Sequence, residues 1–227
     1  MKAPETTKRN SKSKDSVDFF ETQDSTIDIL YDNFLRECLQ KNNKIGIENL
    51  ILDFCCGKGA ILKRLREKQY VHDTVGYDLN PQIMITINEK HYYYPKQDMF
   101  KLHEPAGTYG EHGDALFRHH DVHIVMNPPF NKLTETMDYY LQLKKKYPNI
   151  KSLSLLHSAR SLEGIARHKI MEEHGYPSLI LNMTKRQSFN TYFTNEQRKV
   201  WTPTFSCVWS IWDDNYNGKT EFRYIKG

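Results

Sequence analysis

Residues 49–69, NLILDFCCGKGAILKRLREKQ, hold three signals in succession. NLILDF is a short apolar run that reads as a buried parallel strand, and AILKRLREKQ has helical spacing. Between them stand two adjacent cysteines and a lysine flanked by glycines. Such a turn could be a metal site, a redox pair, a phosphate loop or a cofactor turn. The four cysteines, Cys38, Cys55, Cys56 and Cys207, fit no zinc spacing and form no CxxC. Neighbouring Cys55 and Cys56 could bridge only through a strained ring. A phosphate loop needs a glycine where Leu52 stands and Ser or Thr where Gly59 stands, and a dinucleotide fingerprint needs a third glycine where Leu62 stands. What remains is a strand ending in Asp53, a turn carrying Gly57 and Gly59, and a helix. That arrangement suits a ligand with an ammonium group and a nucleoside but no phosphate. Asp53 can hold the turn's amides or receive the ammonium, and glycines let a ligand approach the backbone closely.

Outward from this stretch the alternation of strand and helix continues. DSTIDILYDNFLRECLQK, from residue 24, puts Ile27, Leu30, Tyr31, Phe34, Leu35 and Cys38 on one helical stripe, with Asp24 or Ser25 as N-cap. TVGYD (74–78) reads as a second strand and NPQIMITINEK (80–90) as a helix capped by Asn80 with Pro81 at its first position. DVHIVM, SLSLLH and SLILNM are further strands, separated by the helices KLTETMDYYLQLKKKY and LEGIARHKIMEEHG, the latter stopped by Gly175. FSCVWSIW and TEFRYI flank an Asn217-Gly218 turn, the signal for a C-terminal antiparallel hairpin. The rhythm predicts an α/β fold with a mostly parallel twisted sheet and helices on both faces. Residues 100–120 and 184–203 read as two long loops, of the kind that often carry function.

The chain has 227 residues and a formal net charge of +4. That length predicts a flexible basic tail over residues 1–18 and a single domain over 19–227, with no separate target-recognition domain. No run of about 18 apolar residues could cross a bilayer. The N-terminal stretch lacks the apolar core of a secretory signal, so the expectation is an intracellular protein, cytoplasmic or nuclear. The modest charge requires any nucleic-acid contact to come from local patches.

Two more motifs follow in chain order. YDLN (77–80) ends the second strand in Asp78, placed to accept both hydroxyls of a ribose, with Leu79 beside it. VHIVMNPPF delivers Asn127, Pro128, Pro129 and Phe130 at a strand's carboxyl end, where open parallel sheets bind ligands. With LDFCCGKG, YDLN and NPPF in this order, the sequence resembles the class I S-adenosylmethionine-dependent methyltransferases. Within them it is similar to the amino-group enzymes of the NPPY/NPPF type, the N6-adenine methyltransferase family, from about residue 19 to 212. The resemblance implies the Rossmann-like class I methyltransferase fold and S-adenosylmethionine as cofactor. It implies that Asp53, Cys55, Gly57, Gly59, Asp78 and Leu79 bind that cofactor and that Asn127, Pro128, Pro129 and Phe130 are catalytic. The acid facing the cofactor's adenine is Asp98 or Asp114, with Asp98 preferred because it follows Asp78 by about one helix plus one strand. The N-terminal cofactor segment corresponds to FFETQ around Thr22, without the family's usual proline.

An exocyclic amine is a poor nucleophile because its lone pair is delocalised into the ring. Asn127 and the Pro128 carbonyl are suited to accept its two N–H groups, and prolines stiffen the pair. Phe130 would stack on a base rotated out of its helix. Lys185, Arg186, Arg198 and Lys199 interleave with Phe189 and Trp201, cations for phosphates and rings for unpaired bases, which makes these residues candidates for substrate binding. The equal alternative is a surface loop whose aromatics tuck into the core. His119, His120 and His123 read as surface or packing residues and no metal is expected. The expected activity is N6-adenine methylation of nucleic acid, DNA favoured over RNA, with target choice supplied by the two loops or a protein partner and no membrane involved. The alternatives are methylation of a protein glutamine amide, or an inactive nucleic-acid-binding partner of an active methyltransferase.

Overall fold

The computed structural model describes residues 20–42, 48–79, 84–87, 90–93, 98–100, 120–192 and 198–226. The expected tail and almost all of the 100–120 loop lie outside them. Strand β1 (Phe20–Thr22) leads into α1 (Asp24–Leu30), then through a π-helical turn (Tyr31–Leu35) into α2 (Arg36–Asn42). There follow β2 (Glu48–Asp53), α3 (Ala60–Arg66), β3 (Asp73–Gly76), β4 (Met84–Ile87), β5 (Lys90–Tyr93) and β6 (His120–Met126). The second half comprises α4 (Leu133–Lys146), β7 (Ile150–Ser158), α5 (Ile165–His174), β8 (Leu179–Met183), β9 (Phe189–Tyr192), β10 (Arg198–Trp201), β11 (Cys207–Asp213) and β12 (Glu221–Ile225).

Seven strands form the main sheet in the order β12-β8-β11-β7-β6-β2-β3. Its pairs are parallel except where β11 meets β7 and β8. Alternate strand residues feed two cores. Ile51, Val125, Leu156 and Trp209 pack with α1, α2 and α3 on one face. Leu50, Leu52, Ile124 and Leu155 pack with α4 and with Met171 of α5 on the other. Both faces are thus covered by helices, as a parallel sheet requires. The carboxyl ends of β2, β3 and β6 therefore share one edge, with Asp53 opposite Gly76.

Four expectations need correcting. The 80–90 stretch is not a helix where it is described: Met84–Ile87 pairs antiparallel with Lys90–Tyr93, Ile87 opposite Lys90. Ile-Thr-Ile and Tyr-Tyr favour strands, and β propensity prevails there over the Asn-Pro capping signal. The C-terminal strands run antiparallel but are not paired, because β8 lies between β11 and β12 and pairs with both. An antiparallel hairpin does occur one step earlier: β9 and β10 pair, and β1 adds to β9, in a separate three-stranded sheet. The expected 184–203 loop is largely that hairpin. Finally, α1 is capped by Gln23 rather than Asp24 or Ser25; its carbonyl accepts from the Thr26 and Ile27 N–H groups. The hydrophobic stripe from Ile27 to Leu35 is buried as expected.

Candidate active site

The glycine turn is built from Asp53 upward. Asp53 is 1% exposed, and its Oδ1 accepts from the Cys55 N–H at 2.9 Å. Its second oxygen makes no hydrogen bond among the described residues. Burial pushes this carboxyl up to about 8, opposed by the Cys55 N–H and reinforced by the neighbouring Asp78. Gly57 and Gly59 have φ of 51° and 76°, left-handed values that favour glycine, and Gly59 serves as the N-cap of α3. The Gly57 N–H donates to Asp78 Oδ2 at 2.8 Å, and Cys56 N–H donates to the Tyr77 carbonyl at 3.1 Å. The ends of β2 and β3 are stitched together by this turn. Phe54 stacks between Tyr77 and Tyr140 beneath it, with centroids 5.4 and 5.2 Å away.

Burial raises the thiols of Cys55 and Cys56 far above their ordinary value, so both remain protonated and poorly nucleophilic. They fill space. His123 and His157 are buried, and desolvation lowers them to about 3 and about 4 respectively, which makes them neutral packing residues. Among the described residues no cluster could hold a metal ion, and no helix is long and apolar enough to cross a membrane.

One cavity of about 370 Å³ opens at this edge of the sheet. Its lining brings together Thr22, Asp53, Cys55, Gly57, Asp78, Leu79, Asp98 and all of Asn127, Pro128, Pro129 and Phe130. Of the expected cofactor residues only Gly59 is set back, as the helix cap. Asp98 reaches the cavity while its Oδ1 accepts from the Phe100 N–H at 3.0 Å. Asp114 lies outside the described residues. Leu79 is 61% exposed, an apolar surface beside the acids. Glu21, Lys58, Met99, Phe100 and Lys132 also line the cavity, and motif reading passed over them.

Asn127 leaves β6 half-buried. Its Nδ2 donates to the Phe20 carbonyl at 3.0 Å and to Thr22 Oγ1 at 3.1 Å. A carbonyl can only accept, so the amide nitrogen must face β1. Oδ1 makes no hydrogen bond among the described residues. Phe130 stacks on Phe20 with centroids 6.0 Å apart and meets Phe189 and Phe205 edge-on at 6.4 and 5.6 Å. Phe189, expected on a substrate-binding surface, is fully buried and offers no face to a ligand. Its side chain backs Phe130, as the alternative of aromatics tucking inward requires. Lys185 and Arg186 are exposed, and Arg198, Lys199 and Trp201 lie along β10. Neither Lys185 nor Arg186 lines the cavity.

No family model matches the sequence, and a search of curated proteins gives no match. Solved structures do match. The methyltransferase subunit of a type I restriction–modification system from Streptococcus thermophilus aligns with a TM-score of 0.53 at 15% identity, over 93% of this chain and 48% of that one. A SAM-dependent methyltransferase from Agrobacterium tumefaciens aligns at 0.46 and 12% identity, over 82% and 62% of the two chains. Magnesium protoporphyrin IX methyltransferase from Synechocystis PCC 6803, with bound SAM, aligns at 0.42 and 13%, over 84% and 79%. The chain spans about half the length of the Streptococcus subunit, and what the two share is the Rossmann-like class I methyltransferase fold.

Proposed function

We propose that this chain is a S-adenosylmethionine-dependent methyltransferase that modifies the N6 amine of adenine in nucleic acid, DNA rather than RNA. The observation that carries the reading is one cavity whose floor is the acid-and-glycine turn and whose rim is the NPPF tetrapeptide. The floor fits the cofactor. Buried Asp53 can receive a cation, Asp78 stands at the end of β3, and exposed Leu79 offers apolar surface to a nucleoside. When bound, S-adenosylmethionine supplies the methyl: the amine nitrogen forms the new N–C bond, the C–S bond breaks, sulfur keeps the electron pair and one amine proton is lost to water.

The chain's own contribution is alignment and acceptor placement. Asn127 Oδ1 and the Pro128 carbonyl accept the two N–H groups and so localise the nitrogen lone pair. The prolines hold both acceptors stiffly and have no N–H to compete. Phe130, fixed by three other phenylalanines, gives its remaining face to the extruded base. No residue is required to remove a proton before transfer, since the amine becomes acidic only as the methyl arrives. Likeness to a restriction–modification methyltransferase is compatible with a nucleic-acid substrate.

The test is incubation with tritiated S-adenosylmethionine and separate pools of duplex DNA, single-stranded DNA, RNA and protein. Label in duplex or single-stranded DNA is expected. Label in the protein pool alone would replace adenine by a glutamine amide, and label in none would overturn the reading.

A further inference from the structure

We propose that Thr22, together with the Phe20 carbonyl, is a positioning residue that turns the Asn127 amide so that its oxygen rather than its nitrogen serves the cavity. The proposal rests on the methyltransferase reading for its consequence, but the placement itself can be measured without cofactor. Asn127 Nδ2 has two acceptors, Phe20 O at 3.0 Å and Thr22 Oγ1 at 3.1 Å, and both belong to β1, more than a hundred residues away. A flipped amide would set Oδ1 against the Phe20 carbonyl with no proton between the two oxygens. Thr22 is 4% exposed, so its hydroxyl cannot be replaced by bulk water. A rim acceptor held in this way selects ligands that present N–H groups and disfavours those that present only acceptors.

The placement also joins substrate capture to chemistry. Thr22 lies opposite Phe189 in the β1–β9 ladder, and Phe189 packs against Phe130. Strand β1 is therefore clamped between the hairpin carrying the basic residues and the tetrapeptide that would act on the substrate. Any shift of β9 reaches both Asn127 and Phe130.

Two measurements test it. In the ligand-free protein, selective labelling and NMR follow solvent exchange of the Asn127 side-chain NH₂. Exchange should be at least tenfold slower than for exposed Asn217, tenfold faster in Thr22→Val, and near wild type in Thr22→Ser. In the methyl-transfer assay, Thr22→Val should lower kcat about tenfold with cofactor Kd within twofold, and Thr22→Ser should restore it. Asn127→Asp adds a reading that a merely structural tie would not give. A carboxylate must face the Phe20 carbonyl, so only its protonated form can bond there. Its activity, taken relative to wild type at each pH, should fall as pH rises. Glu21, Asp53, Lys58, Asp78, Asp98 and Lys132 line the same cavity and would move the midpoint, not the direction.

Fast exchange in the wild-type protein would overturn the placement whatever the activity. A Thr22→Val loss confined to cofactor affinity would make Thr22 a cofactor contact and overturn the role. Slow exchange with no methyl acceptor in any pool would leave the amide placement standing and remove the adenine reading instead.

Discussion

Phe130 packs in an aromatic cluster and, on the proposed function, also stacks on the substrate base, so a mutation that confuses the two would mislead. Its ring is packed by Phe20, Phe189 and Phe205, so truncation to alanine would loosen the cluster as well as remove a stacking face. Phe130→Leu keeps most of the apolar volume and loses only the π-face. We expect it to melt near wild type yet to weaken capture of an unpaired base by about 1–3 kcal/mol, the worth of one aromatic stack. Phe130→Tyr should bind normally. Fluorescence titration with an oligonucleotide containing an abasic site opposite the target adenine measures this; a leucine variant that binds as tightly as tyrosine would remove stacking from the account. Asn127 has the opposite profile. Asn127→Ala should reduce kcat about 100-fold or more with little change in cofactor affinity, because the acceptor is used most strongly as charge develops on the amine. Single-turnover kinetics would show it, and full activity would reduce NPPF to a strand stop.

At the scale of elements, β2, β3 and α3 meet closely around Gly76. A Cβ at Gly76 would lie 2.5 Å from Leu62 Cδ1 and 2.9 Å from Cys56 Cβ. The first neighbour is a movable methyl, but the second is fixed to the turn's backbone. Gly76→Ala should therefore cost about 1–3 kcal/mol by overpacking. Leu62→Val in the same chain should recover only part of it, which urea melts of the double-mutant cycle would measure. The β9–β10 hairpin and the basic residues just before it make a separate prediction. Replacing Lys185, Arg186, Arg198 and Lys199 should raise KM for nucleic acid and flatten its salt dependence, each lost phosphate contact removing about 0.7–0.9 from the slope. An unchanged slope would leave the hairpin as ordinary surface. The elements that sequence made legible are those with one strong signal. NLILDF and DVHIVM are apolar because both faces of their strands are covered. Residues 83–87 are apolar or β-branched without period, and there the Asn80-Pro81 cap outweighed the composition in the wrong direction. Phe20–Thr22 is three residues long and two of them are polar, so nothing local marks it as a strand. Its pairing is long-range, and so is the Asn127 contact it provides. The motifs could name Asn127, but which way its amide turns depends on a carbonyl that no motif encodes.

At the scale of the whole molecule, the buried titratable groups among the described residues pull in opposing directions, and their balance predicts a pH optimum for stability. Asp53 has a folded value of about 8 against an ordinary 3.8, so the folded state holds a proton that the unfolded state has lost. It disfavours folding increasingly as pH rises from about 4 to 8. His123 and His157 are depressed to about 3 and about 4 from 6.5, so the unfolded state holds protons that the folded state cannot. Their contribution is complete above 6.5 and is lost as pH falls toward those values. The paired carboxyl of Asp28, held below its ordinary value by Arg64 and Lys68, acts only below this window. Among these described groups, the two histidines outweigh Asp53 by one proton between about 4 and 6.5, and above 6.5 Asp53 is the one that titrates. Each proton is worth up to about 1.4 kcal/mol per pH unit. Stability should rise with pH to a maximum near 6.5 and then fall toward pH 8, as urea melts from pH 4.5 to 8.5 would record. Asp53→Asn can still accept the Cys55 N–H while carrying no charge. It should abolish the alkaline decline, with a gain of about 2 kcal/mol at pH 8 once structural relaxation is allowed for, and steepen the acid side. A wild-type protein equally stable at pH 6.5 and pH 8.5 would mean that Asp53 is ionised in the fold. The floor proposed to receive a cation would then be charged before any ligand arrives, and binding there would release no proton from it.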